Sequence, residues 1–441
     1  MFKFGRIWAS ALVATALALP GPAAAISLIR DSEIERTLID MSTPIFRAAG
    51  LTPDSVEMFL VNDNSMNAFI AGGRRIFLHT GMAIELETPE ELLGVIAHEV
   101  GHIVGGHEAR RARNMRGARG PALIGMLAGI ATAAAGGGAA GAAVALGSQS
   151  ALSRTLLSYN RAEEASADQA ALSYLIRAGI NPAGLQDVLR HFRGQEVLSM
   201  GNLDPYAISH PLSTERMSLI DRRVSEAAGR SWPKDENQTY WYERMRAKLS
   251  GFLRDPTHVL NRLEAKPETE FTIYERTIAL HRLPAPDEAL ASAERLIAMR
   301  PQDPFYHELK GQILLESARA EAAVPSYREA MRLAPNEALI KAGLGRALLQ
   351  LGRPEADREA LAILEAARRD DPADAMALRD LATAYERAGQ RGMAILATAE
   401  RYALIGDTKS AVSLARRADG ALPEGSPGWM RAQDILALDT N

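Results

Sequence analysis

Leu92-Leu93-Gly94-Val95-Ile96-Ala97-His98-Glu99-Val100-Gly101-His102-Ile103 is apolar along most of its length, yet it carries two histidines and a glutamate. Thr88-Pro89-Glu90-Glu91 precedes it and reads as a helix start, with Thr as N-cap, Pro in the first turn and Glu three residues after the cap. The stretch therefore predicts a largely buried helix. Histidines four apart on a helix project to one face, close enough for both imidazoles to hold one ion. Glu99 lies beside that pair and can take a proton from water that such an ion acidifies. A pair of core histidines does not readily explain the buried helix, the glutamate and the spacing together. The expectation is a zinc peptidase site with one Zn2+ per chain, held by His98 and His102, with Glu99 as catalytic residue.

Two histidines leave the ion short of a third protein ligand. Gly105 falls where the longer HExxHxxGxxH pattern has its glycine, but Glu108 occupies the place of the third histidine. His107 misses that place by one residue and, nine residues after His98, falls on the opposite helix face. Glu164-Ala165-Ser166-Ala167-Asp168 offers a better candidate, on a predicted helix that runs through Leu172 and Leu175 and stops around Gly179 and Pro182. Glu164 could complete a His-His-Glu site, with Asp168 accepting an imidazole N–H and fixing its tautomer. Taken alone, two carboxylates four apart read as a solvated helix face.

Outward from these segments the chain divides. Its 441 residues are too many for one ordinary domain, and the 47% hydrophobic, 24% charged composition with net charge -4 is globular and offers no basic patch for nucleic acid. There is no cysteine, so any metal ligand must be His, Asp or Glu. Lys3 and Arg6, an apolar run from Ile7 to Leu19, and Ala23-Ala24-Ala25 predict a signal peptide over 1–25, cleaved after Ala25, and hence a periplasmic protein. Ser32 to Ala49 reads as an amphipathic helix, and Phe59-Leu60-Val61 and Arg75-Ile76-Phe77-Leu78 as short strands. Residues 120–153 carry no charge, and Gly136-Gly137-Gly138 divides them. They read as a small-residue helical hairpin near the active site, with peripheral membrane contact as the competing reading.

The second half repeats. Pro267, Pro301 and Pro335 recur every 34 residues, and Pro372 follows after three extra residues placed between helices near Arg353 to Ala356. Gly311, Leu314, Ala323, Tyr327 and Ala330 fall at the small and aromatic positions of tetratricopeptide (TPR) repeats. The expected fold is mainly α (α+β): a zinc metallopeptidase domain with a small β-sheet over 26–230, linker helices over 231–266, and an α-solenoid of TPR repeats over 267–441.

His98 to His102, then E-x-x-A-D at 164–168, then Ser209-His210-Pro211 followed by Arg216, resembles the gluzincin peptidases of metallopeptidase family 48, the HtpX-like group. The signal and the TPR array resemble the soluble periplasmic branch of that family. The resemblance implies that Glu164 is the third zinc ligand, that His210 lies near the metal and can act as a fourth ligand holding the enzyme off, and that Arg216 supports the site. It also implies that Asn67-Ala68-Phe69 belongs to an edge strand to which an extended substrate adds by β-augmentation. Here Ala71-Gly72-Gly73-Arg74-Arg75 stands where the family often carries a Pro-Gly-Gly turn. On its own residues, His210-Pro211 reads equally well as a plain turn.

Two functions compete on this reading. One is a zinc endopeptidase degrading misfolded or stalled envelope and outer-membrane proteins, its TPR array recruiting substrate or the outer-membrane protein assembly machinery. The other is a chaperone or adaptor for outer-membrane protein assembly whose protease site is largely latent.

Overall fold

The structure is a computed structural model that describes residues 28–110, 161–193 and 205–440. The signal peptide expected over 1–25 and the uncharged segment 120–153 lie outside the described residues. Among the described residues, no helix is long and apolar enough to cross a membrane.

Helix α1 (Ser32–Ala48) starts at Asp31, whose carboxylate accepts the Ile34 amide. A four-stranded sheet is built from β1 (Leu28–Ile29), which precedes α1, and from β2 (Glu57–Val61), β3 (Ala68–Ala71) and β4 (Arg75–His79) after it, in the order β1-β2-β4-β3. β2 and β4 pair in parallel, whereas β3 folds back antiparallel on β4 and forms an outer edge. The sequence showed the two central strands; β1 and the full extent of β3 are short and half-exposed, so their apolar pattern is weak.

After the short α2 (Thr80–Glu85), helix α3 (Pro89–Gly105) opens with a complete capping box, in which Thr88 and Glu91 satisfy each other's backbone amides. Its buried side chains join those of α1 and the sheet in one core around Ile34, Leu38, Ile45, Ile76, Leu92 and Ile96. Helix α4 occupies 161–178 and crosses α3 so closely that a Cβ at Gly101 would stand 2.7 Å from the Ala167 carbonyl. A side chain at Gly101 would force the helices apart, so this glycine lets the two motif-bearing helices meet face to face. α5 (Ala183–His191), α6 (Pro205–Ser209) and α7 (Thr214–Ala227) complete this part.

Helix α8 (Glu236–Leu253) is more than a linker. Tyr242, Met245 and Leu249 enter the first core, while Ala247 enters a second core with Ile273, Tyr274 and Ile278. α9 (Pro256–Glu264) then leads into paired antiparallel helices: α10 (Glu270–His281) and α11 (Pro286–Met299), α12 (Pro304–Glu316) and α13 (Ala320–Leu333), α14 (Ala338–Gln350) and α15 (Pro354–Asp370), α16 (Ala375–Arg387) and α17 (Arg391–Leu404). α18 (Thr408–Asp419) and α19 (Pro427–Leu436) end this TPR solenoid. No pair can bury its apolar face alone, and stacking makes the core continuous. The prolines of the 34-residue period sit in the turns between pairs. The three extra residues do not lengthen the connection: α15 has 17 residues against 14 in α13, the extra turn being its first, Pro354-Glu355-Ala356. Proline is preorganised for that first-turn position because its missing N–H has no partner there to lose.

Candidate metal centre and active site

Crossing at Gly101 sets the α3 face bearing His98 and His102 against the α4 face bearing Glu164 and Asp168. His210 comes from the end of α6. These five residues, with Glu99 and Arg216, are all between 0% and 4% exposed.

Four of them converge. One donor atom from each of His98, His102, Glu164 and His210 lies within 4.8 Å of all the others. His98 Nε2 is 3.0 Å from His102 Nε2 and 3.2 Å from both His210 Nδ1 and Glu164 Oε2. Glu164 is 3.4 Å from His102 Nε2 through Oε1 and 3.0 Å from His210 Nδ1 through Oε2. Tetrahedral bonds of about 2.0–2.2 Å place nitrogen and oxygen donors about 3.3–3.6 Å apart. The observed edges are close to that size, and the donor set contains only imidazole and carboxylate, so these residues fit a divalent transition metal.

Around the cluster, Asp168 Oδ1 stands 2.9 Å from His98 Nδ1. Arg216 in turn donates to both Asp168 oxygens, at 2.7 and 2.9 Å, and to the carbonyls of His210 and Pro211. Arg216 reaches them from the first turn of α7, which Ser213 caps. Burial alone would depress the His98 pKa, but the Asp168 and Glu164 carboxylates overcome it and hold the metal-free imidazole at about 9. His102 has no carboxylate behind its ring among the described residues; burial and the neighbouring imidazoles bring it down to about 3 despite Glu164. Burial also opposes ionisation of Glu164 and Asp168, yet the surrounding imidazoles hold the Glu164 carboxyl well below its ordinary range, and His98 and Arg216 lower that of Asp168.

Glu99 Oε1 lies 3.4 Å from His210 Nε2. That same nitrogen is 3.3 Å from the Ala68 carbonyl in β3, so the sheet edge reaches the cluster. Phe69 stacks on Phe77 within the sheet at 5.1 Å between centroids, while Asn67 precedes β3 and its Oδ1 accepts from Ser209 at 3.4 Å. The structure thus brings Glu99, Glu164, Asp168, His210 and Arg216 around His98 and His102. Ala68 meets the cluster through its carbonyl, whereas Asn67 and Phe69 contact Ser209 and Phe77, respectively.

Three neighbours carried little sequence signal. Tyr206 tilts its ring over His210 at 4.7 Å, and burial and the Glu99 charge raise its phenol pKa well above the usual value. Glu108 accepts the Gly72 and Gly73 amides at 2.8 Å each, clamping the β3–β4 turn where the family's Pro-Gly-Gly is missing. His107 Nδ1 stands 2.8 Å from His102 Nδ1. Opposite-face arithmetic failed there because α3 ends at Gly105 and Gly106, at φ +62°, turns the chain back. Two adjacent glycines were the signal that the face rule had expired.

The Peptidase family M48 model matches residues 29–224. Over 409 residues the chain is 24% identical to the beta-barrel assembly-enhancing protease of Yersinia pestis, covering 91% of this chain and 82% of that protein. Over 189 residues it is 24% identical to a mitochondrial metalloendopeptidase of Schizosaccharomyces pombe, covering 42% of this chain and 51% of that protein. Among solved structures, a thermophilic TPR protein of Thermus thermophilus matches at 20% identity, over 38% of this chain and 100% of that one, with a TM-score of 0.26.

Proposed function

The chain carries a peptidase family M48 domain over residues 29–224 and is a metalloendopeptidase, and from that premise we propose a zinc-dependent enzyme of the periplasm that cleaves misfolded or stalled envelope proteins. The observation that carries the proposal is the convergence of His98, His102 and Glu164 beside Glu99. When bound, the ion supplies Lewis-acid chemistry, acidifying water and polarising the scissile carbonyl. His98, His102 and Glu164 hold it. Asp168 accepts the His98 Nδ1–H and, anchored by Arg216, fixes that ring's orientation. Glu99 takes the proton of the attacking water on Oε1 or Oε2 and passes it to the leaving amine. An extended substrate pairs with the outer edge of β3, which has no further strand beside it among the described residues, and its backbone then lies beside His210 and the metal ligands. The similarity to an assembly-enhancing protease over most of both chains supports unfolded outer-membrane proteins as substrates, with the TPR solenoid recruiting them or the assembly machinery.

Metal removal tests this reading. Chelation of the purified full-length chain should abolish cleavage of an unfolded protein, and stoichiometric zinc should restore it. Cleavage that survives complete metal removal would end the proposal.

One observation favours a second reading, a chaperone or adaptor with a latent site. His210 Nδ1 occupies the cluster alongside the three ligands, 3.0 Å from Glu164 and 3.2 Å from His98. As a fourth ligand it would exclude water. On this reading His210→Ala raises cleavage, by about 10-fold if the open state is a tenth of the population. A variant that retains zinc but loses cleavage instead assigns His210 to the developing oxyanion.

A further inference from the structure

The two histidines of α3 are backed differently. His98 has the Asp168 carboxylate at 2.9 Å behind its Nδ1. Among the described residues His102 has no carboxylate on that side; its Nδ1 faces His107 Nδ1 at 2.8 Å, with the rings edge to face at 79°. His107 is 3% exposed, so this contact is made away from water.

A ring that offers Nε2 to an ion carries its proton on Nδ1, and that proton needs an acceptor when buried. We propose that His107 is a positioning residue of the metal centre, accepting the Nδ1–H of His102 and thereby fixing the tautomer and the angle of that ligand. This inference rests on the reading of His102 as a metal ligand. It follows that His107 is itself the Nε2–H tautomer, because its Nδ1 lone pair is engaged.

The chain around it is shaped for this contact. Gly106 closes α3 in the left-handed conformation, its amide donating to the Ile103 carbonyl at 3.0 Å, and brings residue 107 back over the helix end. The imidazole then lies across Gly105, where a Cβ would come within 2.4 Å of His107 Nε2. Glycine at 105, which in the sequence mimics a motif this chain does not complete, is the space the ring occupies. Next in the chain, Glu108 ties the same segment to the Gly72-Gly73 turn. That tie holds the backbone beside His107 against the sheet.

Zinc affinity of the full-length chain, measured by competition with a chromophoric chelator, tests the proposal. His107→Leu keeps the volume and removes the acceptor; its affinity is expected to fall about 10- to 100-fold, the range for such supporting groups. His107→Gln restores an acceptor oxygen and is expected to recover most of that loss. Gly105→Ala displaces the ring without altering its polar atoms and should weaken zinc like His107→Leu. Metal-free melting should be the same for the Leu and Gln variants, so that packing alone does not separate them. Equal loss in both, or wild-type affinity in both, overturns the inference while leaving the metal centre standing. A wild-type chain that takes up no zinc removes the metal-centre reading and this inference together.

Discussion

Glu99→Gln is expected to lower cleavage of an unfolded protein by about 10²- to 10⁴-fold, the usual contribution of a positioned acid–base group, while zinc content stays at one per chain. Glutamine keeps the size of the side chain and removes its basicity. Glu99 is fully buried on α3, directly after His98, so its position is set by the helix rather than by a flexible loop. It is not among the four convergent donors, which is why metal uptake should survive the change. Zinc assay, cleavage of unfolded casein and circular dichroism on the same preparation separate the outcomes. Unchanged cleavage would sink the enzyme mechanism. Lost zinc with lost cleavage would show that Glu99 is part of the coordination and that the base lies elsewhere.

Legibility of this molecule followed sequence distance. The capping box at Thr88 and the helix it starts were readable because every interaction that defines them lies within four residues. Repeats were readable for a related reason: a period of 34 residues repeats the same local evidence several times. Glu164 was ambiguous by itself, since two carboxylates at i and i+4 usually mark a solvated helix face; only its pairing with two histidines on another helix gave it meaning. His210 and Arg216 entered through resemblance, because a turn and a helix start look alike whether or not a cluster lies beneath them. His107 was discarded by a rule valid inside a helix and invalid one residue beyond Gly106. Nothing in the sequence of α8 announced that one arginine would be buried between the two halves.

That arginine makes the second large effect. Arg244 is 0% exposed and donates to Glu33 Oε1 at 2.7 Å, to Asp303 Oδ1 at 2.9 Å and to the Tyr240 hydroxyl at 3.0 Å. Its guanidinium also lies 4.1 Å from the Tyr306 ring centroid and 5.0 Å from that of Trp241. Glu33 belongs to α1 beside the metal-bearing core, whereas Asp303 caps α12 in the solenoid by accepting the Phe305 and Tyr306 amides. Lys248 and Tyr274 complete the shell of Glu33, at 3.2 and 2.6 Å. Removing one partner from such a buried network strands the others, at about 3–5 kcal/mol. Arg244→Ala should therefore cost that much, and the cost should fall on the union of the two halves, so that one unfolding transition in guanidinium separates into two. Combining Arg244→Met with Glu33→Gln should cost less than the sum of the single changes, because each single change strands the other member of the Arg244–Glu33 pair and the double change removes that pair together. Acid acts on the same joint. Burial opposes ionisation of Glu33, but Arg244 and Lys248 override it and hold its pKa below the ordinary value. A depressed carboxyl stabilises the fold above its unfolded pKa, about 4.3, and that contribution is lost as pH falls through the folded value. The wild-type joint should accordingly loosen below about pH 4.3, and Glu33→Gln should flatten that acid limb. A single cooperative transition in Arg244→Ala, at wild-type denaturant midpoint, would show that the halves are held together by something other than this cluster.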